Sequence, residues 1–152
     1  MSDNSTDTKP APPFEVIRRP HPHPMPVPFV PGIKVEAGTR FIFLSGATAY
    51  PWDHSHPHVP EEFIPPEDIR EQARRVFDKL QYLLTAGGAT FHHVVRITKY
   101  MTNLDEHDAV VEVMKEYFGE HLPTSTTIEV RRLVLAGYRL EIDMIAAVKD
   151  DE

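Results

Sequence analysis

The alternation of apolar and polar residues along the chain predicts one domain that mixes strands and helices. The clearest element is a helix that opens at Pro66–Asp68, where a proline and two carboxylates suit the first turn. It runs to Ala86, and Gly87-Gly88 ends it. Its apolar residues recur at three-to-four spacing and therefore form one buried stripe. That stripe comprises Ile69, Ala73, Val76, Leu80 and Leu83.

Strands are predicted on both sides of this helix, where branched and aromatic residues occur in short runs. A second helix, capped by Asn103 or Asp105, ends at Gly119. The first two strands should form a hairpin around the Ala37-Gly38 turn. The predicted strands are Ile33–Glu36, Thr39–Ser45, Val94–Met101, Thr126–Arg131 and Arg139–Val148. The predicted order is β-β-α-β-α-β-β, which is an α/β domain.

The first 31 residues are predicted to form an arm outside the core. More than half of the chain's 15 prolines lie between residues 10 and 31, where they oppose a helix. Residues 1–13 are expected to be disordered, and Phe14–Arg18 can form an edge strand. The rest of the arm should run extended, close to polyproline II. The folded domain is therefore predicted over residues 32–149, with residues 150–152 as a tail.

Both faces of one predicted strand are apolar, which bears on assembly. Phe41 and Phe43 point to one side of this strand, and Ile42 and Leu44 point to the other. Two helices can cover only one face of the sheet, and no sequence remains to build a third layer. A copy of the same chain is the economical cover for the other face, so a symmetric homo-oligomer is predicted.

Composition narrows the function classes. The chain has 152 residues and no cysteine, which excludes disulfides, thiolate nucleophiles and iron-sulfur clusters. The formal net charge of -7 argues against a nucleic-acid partner. The sequence has no run of about 18 apolar residues that would span a membrane, and its first ten residues do not read as a secretory signal. A cytoplasmic protein with neither membrane nor nucleic acid as a partner is expected.

Several motifs lie between residues 33 and 149. Pro123–Val130 is followed, after a loop, by the strand Leu140–Ala146, which reads LEIDMIA; Phe43–Gly46 and Ala86–Asn103 lie upstream. These segments resemble the signature of the Rid family, also called YjgF/YER057c/UK114. The corresponding family patterns are P-x-R-[ST]-x-[VI]-x-V, I-E-I-E-A-I-A, V-S-G-Q and A-G-x-x-x-x-D-V-V-K-x-x-V-Y-x-x-D.

The resemblance implies a chorismate-mutase-like fold with two helices on one face of a mixed sheet. It also implies a homotrimer that deaminates small enamines or imines, without a cofactor, in clefts between subunits. Glu141 would position or activate the attacking water. Ser125 stands where family members carry the arginine that grips the substrate carboxylate through two hydrogen bonds. The other substrate positions implied by the resemblance are Ser45, Gly46, Thr127 and, in place of a tyrosine, Phe29.

The closing strand carries the candidate chemistry. Glu141 and Asp143 lie two residues apart, so both side chains leave the same face of the strand. A carboxylate that holds a water molecule suits the hydrolysis of an imine. The alternative is an ordinary charged face with salt bridges to Arg131, Arg132 or Arg139.

The missing arginine changes the expected substrate, because a buried substrate carboxylate without a partner is costly. Standard 2-imino acids are therefore not the expected substrates. Either Arg131, Arg132 or another basic residue replaces the arginine, or the ligand is neutral, cationic or aromatic. In the second case the hydroxyl groups of Ser125, Thr126 and Thr127 would contact it.

Histidines cluster in the loop after the second predicted strand. His54, His56 and His58 follow Trp52 in a segment that contains proline. The pattern lacks the helical spacing of a catalytic zinc site, so no metal site is predicted. The loop either flanks the cleft, with Trp52 binding substrate and an imidazole donating a proton, or is an ordinary solvated loop. Tyr50 and Trp52 can equally pack in the core or at an interface.

Three functions stay open at this point. The first is a cofactor-free deaminase or related hydrolase that acts on a small nitrogen compound. The second is a non-catalytic trimeric binding protein that keeps the scaffold without the arginine. The third is a pathway-specific enzyme whose aromatic or heterocyclic substrate is selected by the loop around Trp52.

Overall fold

The computed structural model describes residues 12–20 and 26–149. The predicted disorder of the first residues, part of the predicted extended arm and the tail at 150–152 lie outside these ranges. The strands and helices are β1 (Phe14–Ile17), β2 (Gly32–Val35), β3 (Thr39–Ala47), α1 (Ile69–Ala86), β4 (Val94–Met101), α2 (His107–Phe118), β5 (Thr124–Glu129) and β6 (Leu140–Lys149).

Four strands form a mixed sheet in the order β3-β6-β4-β5. β6 pairs antiparallel with β3 and β4, whereas β4 and β5 run parallel because α2 forms the crossover between them. α1 and α2 pack together and cover one face of this sheet. The predicted α/β arrangement with two helices on one face is therefore confirmed. Neither helix in the described part of the chain is long and apolar enough to cross a membrane.

α1 forms where the sequence predicted it. The Asp68 carboxylate caps the helix by accepting a hydrogen bond from the Arg70 backbone amide at 2.9 Å. Leu83 is half-buried, and Gln72 is buried with its side-chain amide bonded to three backbone groups. The buried apolar residues of the helix are Ile69, Ala73, Val76, Phe77, Leu80 and Leu84. The bonds of Gln72 tie this helix to the start of β6.

The predicted hairpin around Ala37-Gly38 is wrong. The turn exists, with Gly38 at a φ of 77°, but β2 pairs with β1 in a separate two-stranded sheet. The 9 residues of β3 pair instead with the 10-residue β6, whereas β1 and β2 have 4 residues each. The longer ladder satisfies more backbone donors and acceptors, so β3 joins the main sheet. The edge strand predicted at Phe14–Arg18 is present as β1.

The sheet surface that faces away from α1 and α2, here called the open face, is uncovered in the protomer. Phe43 is 74% exposed and Phe41 is 48% exposed on this face. Ile42 and Leu44, on the other side of β3, pack against the core. The strand is therefore apolar on both faces, as the sequence predicted.

Candidate functional site

A cavity of about 600 Å³ lies where the end of β3 meets α1 and the loop that follows β3. Ser45, Gly46 and Trp52, all predicted to bind substrate, line this cavity. Lys79 of α1 forms one wall; its ammonium lies 5.4 Å from the centre of a Trp52 ring and donates to two backbone carbonyls of the loop. Burial lowers the pKa of Lys79. The cavity thus combines aromatic surface with one amine.

Glu141 contacts one of the residues that line this cavity. Its carboxylate lies against the α-carbon of Gly46, at a place where a β-carbon would overlap it. Glycine is required here for close approach of a side chain. The pairing of β3 with β6 is irregular between Leu44 and Ala47, which includes the Ser45-Gly46 step. The structure therefore brings together Ser45, Gly46 and Glu141, which are distant in sequence.

Asp143 shares the open face with Glu141. It accepts a hydrogen bond from the Tyr100 hydroxyl at 3.0 Å, and Tyr100 stands opposite Glu141 in the β4–β6 pairing. The hydrogen bond and the negative charge of Asp143 raise the pKa of Tyr100, so the phenol stays a proton donor at neutral pH. We call Glu141, Gly46, Asp143 and Tyr100 the Glu141 group.

The salt bridges considered for these two carboxylates do not form within the described residues. Arg139 pairs instead with Glu106 at 2.9 Å. Arg131 and Arg132 are exposed in the loop between β5 and β6, and neither makes a side-chain hydrogen bond or ion pair in the part of the chain described. Arg132, predicted to bind substrate, is thus not joined to either carboxylate.

A second polar group lies at the β4–β5 pair, on the helix side of the sheet. Lys99 is only 1% exposed, and its ammonium donates to Ser125 Oγ at 2.8 Å, its one hydrogen bond within the described residues. Burial lowers the pKa of Lys99 to about 8. Thr127 Oγ1 lies 3.2 Å from His107 Nε2, and burial followed by the charge of Lys99 lowers the pKa of His107. We call Lys99, Ser125, Thr127 and His107 the Lys99 cluster. A buried cation whose one hydrogen-bond partner is neutral favours the binding of an anionic ligand beside it.

Sequence reasoning missed Lys99, although β4 contains a signal for it. Ile97, Lys99 and Met101 alternate along this strand, and Ile97 and Met101 are fully buried. The lysine between them must face the same side, toward the core. Position 99 thus places a cation beside position 125 from the neighbouring strand.

The Glu141 group and the Lys99 cluster lie on opposite faces of one protomer's sheet. Lys99 and Tyr100 are neighbours on β4, so their side chains leave opposite faces. Thr126, placed between two members of the Lys99 cluster, points by the same alternation to the open face. A single chain therefore does not assemble all the predicted substrate-binding residues.

Phe29 is half-buried and belongs to the neighbourhood of β5. The Val30 backbone amide donates to the Pro123 carbonyl at 3.1 Å, immediately before β5 begins. The Arg19 guanidinium lies 5.8 Å from the centre of the Phe29 ring. This part of the arm is thus attached to the sheet edge that carries the Lys99 cluster.

The histidine loop borders the cavity through its aromatic residues. Tyr50 and Trp52 line the cavity, and the Tyr50 ring centre lies 5.4 Å from that of His54. His54, His56 and His58 each offer a ring nitrogen, and these atoms all lie within 4.8 Å of one another. Three imidazoles this close are able to hold a metal ion.

Comparisons with known proteins agree on one family. A family model described as endoribonuclease L-PSP matches residues 22–148. A RutC family protein of Pyrococcus abyssi is 37% identical over 106 residues, which cover 70% of this chain and 76% of that protein. A protein of Escherichia coli (strain K12), provisionally named reactive intermediate deaminase TdcF, is 28% identical over 122 residues, covering 78% of this chain and 85% of that protein. The structure of YyfB from Yersinia pestis, described as a Rid-family protein of unknown function, matches with a TM-score of 0.69 and 22% identity, covering 90% of this chain and 99% of that chain.

Proposed function

Because the chain belongs to the YjgF/YER057c/UK114 (Rid) family, which includes relatives named as deaminases, we propose that it is a cofactor-free deaminase of a small enamine, imine or related nitrogen compound. The observation that carries this proposal is the packing of the Glu141 carboxylate on Gly46, a residue that lines the cavity. This packing fixes the carboxylate next to the cavity lining. The net charge of -7 disfavours the RNA substrate that the description of the family model names.

The reaction that suits this carboxylate is hydrolysis of a carbon-nitrogen double bond. An enamine takes a proton on carbon, loses one from nitrogen and so becomes an imine; water then adds to the imine carbon, and the adduct releases ammonia and leaves a carbonyl compound. Glu141 holds the attacking water, accepts its proton and passes that proton to the departing nitrogen. Proton transfer and water addition account for every atom, so the proposed reaction needs no cofactor.

The proposed active form is a homotrimer with a site between each pair of neighbouring subunits. The Glu141 group lies on the open face near β3, whereas the Lys99 cluster lies on the helix side near β5, and these strands form opposite edges of the sheet. A head-to-tail ring places unlike surfaces of neighbouring subunits together. Each site then combines the Glu141 group of one protomer with the Lys99 cluster of the next.

Lys99 supplies the positive charge that family members place at position 125. Its ammonium contacts the Ser125 hydroxyl directly, and Ser125 is only half-buried, so an anionic group can approach the pair. An ammonium is a compact point charge, whereas a guanidinium presents a planar fork. An anionic group of the substrate is therefore held by one ammonium and nearby hydroxyls instead of the two parallel hydrogen bonds that an arginine donates.

An aromatic or heterocyclic substrate is a second candidate. Trp52 and Tyr50 line the cavity, and the Lys79 ammonium lies above Trp52. Aromatic rings pack well against such surfaces and bury a large area. A pathway-specific enzyme with this substrate class would use the same water chemistry at Glu141.

Ammonia release tests the proposal. We expect the full chain to accelerate ammonia and carbonyl production from at least one member of a panel of 2-imino acids, cyclic imines and aromatic enamines. Glu141→Gln keeps the size of the side chain and removes its charge, so kcat should fall at least about 100-fold. Glu120→Gln, which changes an exposed carboxylate after α2, should retain full activity. The melting temperature of both variants should stay close to that of the unmodified protein.

Two results would contradict the proposal. Undiminished ammonia release by Glu141→Gln would remove Glu141 from the mechanism. Saturable binding of panel compounds with no turnover of any of them would identify a non-catalytic binding protein built on the same scaffold.

A further inference from the structure

Three histidine side chains meet in the loop between β3 and α1. His54, His56 and His58 alternate with Ser55 and Pro57, a spacing that allows side chains to share one side of an extended segment. The centres of the three rings are between 4.7 and 5.0 Å apart. One nitrogen from each ring lies within 4.8 Å of the other two. The rings thus converge on one small volume.

A hydrogen bond holds the ring of His54 and leaves its second nitrogen for a ligand. Its Nδ1 lies 3.3 Å from the Pro51 carbonyl oxygen. A carbonyl only accepts hydrogen bonds, so Nδ1 carries the proton and Nε2 keeps a lone pair. In metal sites the second nitrogen of a ligating imidazole commonly donates to a carbonyl or carboxylate in this way.

Glu62 adds a negative charge beside the rings. Its carboxylate accepts hydrogen bonds from the hydroxyl and the backbone amide of Ser55, both at 2.6 Å. Phe63 forms an apolar wall, with its ring centre 5.2 Å from those of His54 and His58. The three imidazoles, the Glu62 carboxylate and the Phe63 ring therefore form an ordered site held together by mutual contacts.

We propose that His54, His56 and His58 bind one divalent transition-metal ion, such as Zn²⁺ or Ni²⁺, through three imidazole nitrogens. Imidazole suits these ions, whereas Ca²⁺ and Mg²⁺ prefer oxygen ligands. Water completes the coordination. The sequence predicts no metal site because the histidines lack helical spacing. Histidines whose rings converge in a loop do not need that spacing to bind a metal ion.

The ion would fix the loop that forms one side of the cavity. His54 contacts Tyr50, and Tyr50 and Trp52 both line that cavity. Binding energy gained at the three imidazoles therefore also stabilises the position of these two rings. The metal site stands independently of the proposed deamination, because its evidence comes from the loop alone.

Direct metal binding tests the inference without an activity assay. The full chain, prepared without a histidine tag and stripped with a chelator, is titrated with Zn²⁺ by calorimetry. We expect one Zn²⁺ per chain and a higher melting temperature when Zn²⁺ is present, because an ion that binds only the folded state stabilises it. Co²⁺ at the same site should give the visible absorption of a nitrogen-ligated ion.

Variants assign the binding to the loop. His56→Gln and His58→Gln change exposed rings, and each should weaken Zn²⁺ binding at least about tenfold. His92→Gln, an exposed histidine outside the loop, is the matched control, and a His21→Gln/His23→Gln double variant controls for two histidines outside the described residues. No saturable binding at micromolar Zn²⁺ would overturn the proposal. Equal affinity in the His56 and His58 variants and the unmodified protein would overturn it as well.

Discussion

Lys99 is buried at a cost to the folded state. Its ammonium has one neutral hydrogen-bond partner among the described residues, Ser125 Oγ, and burial lowers its pKa from 10.5 to about 8. A shift of this size corresponds to roughly 3 kcal/mol against the charged lysine. Strongly perturbed ionisable groups gather at functional sites, where an arriving ligand compensates them. The burial of Lys99 therefore supports its proposed role in binding an anionic group.

Replacement of Lys99 by methionine should stabilise the protein. Lys99→Met keeps most of the volume and removes the charge, so we expect a gain of about 1–3 kcal/mol at pH 7. The pKa of Lys99 is near 10.5 in the unfolded chain and about 8 in the folded protein. Between these two pH values the unfolded chain binds more protons than the folded protein. The unmodified protein therefore gains stability as the pH rises through this range. The advantage of the variant should thus be largest below pH 8 and disappear toward pH 10.5. Urea unfolding at several pH values measures this difference.

The same variant should lose affinity for anionic substrates. We expect KM to rise at least about tenfold for a substrate with an acidic group and to change little for a neutral analogue. Lys115→Met, which changes an exposed lysine on α2, is the control in both experiments. A variant no more stable than the unmodified protein at pH 7 would show that Lys99 is not an uncompensated buried charge.

Alanine at position 46 should impair turnover but leave the fold intact. The added methyl group in Gly46→Ala would overlap the Glu141 carboxylate, which is the flexible end of a side chain and must turn away. Displacement of the group that holds the water should lower kcat about 10- to 100-fold. Gly32→Ala is the control, because its methyl group would meet Ile17 at an ordinary 3.4 Å. Steady-state kinetics that leave kcat of Gly46→Ala unchanged would show that this close packing is not required.

At the scale of strands and helices, the sequence predicted local features better than pairing. The end of α1 at Ala86 and the limits of β4 follow from an apolar stripe and a branched run, which are local signals. β5 spans Thr124–Glu129 instead of Thr126–Arg131, because its register is set by the parallel pairing with β4. The Ala37-Gly38 turn likewise does not determine which strands pair, and the predicted hairpin was wrong for that reason.

The candidate site shows the same difference between local sequence signals and strand pairing. Ser45, Gly46 and Glu141 follow from motifs that each occupy one segment, and the structure places them side by side. The cation at Ser125 comes from Lys99 on a different strand, a relation that only the β4–β5 register reveals. The convergence of the loop histidines likewise depends on a chain path that no periodic pattern specifies.

At the scale of the whole molecule, the open face is the surface through which a neighbouring subunit is expected to complete each proposed active site. The exposed rings of Phe41 and Phe43 lie 6.3 Å apart on this face and form an apolar surface beside the Glu141 group. An apolar surface of this kind favours contact with another subunit. For the proposed homotrimer we expect light scattering to give the mass of three 17.3 kDa chains.

Mixed trimers test whether a site spans two subunits. Homotrimers of Glu141→Gln lack the carboxylate, and those of Lys99→Met lack the cation, so both should have low kcat/KM for an anionic substrate. If the two chains are unfolded, mixed in equal amounts and refolded together, about one quarter of the sites should pair an intact Glu141 from one subunit with an intact Lys99 from its neighbour. Activity should then rise toward a quarter of that of the unmodified protein. If each site instead lay within one protomer, every site would carry one defect, and the mixture would show only the average of its two parents.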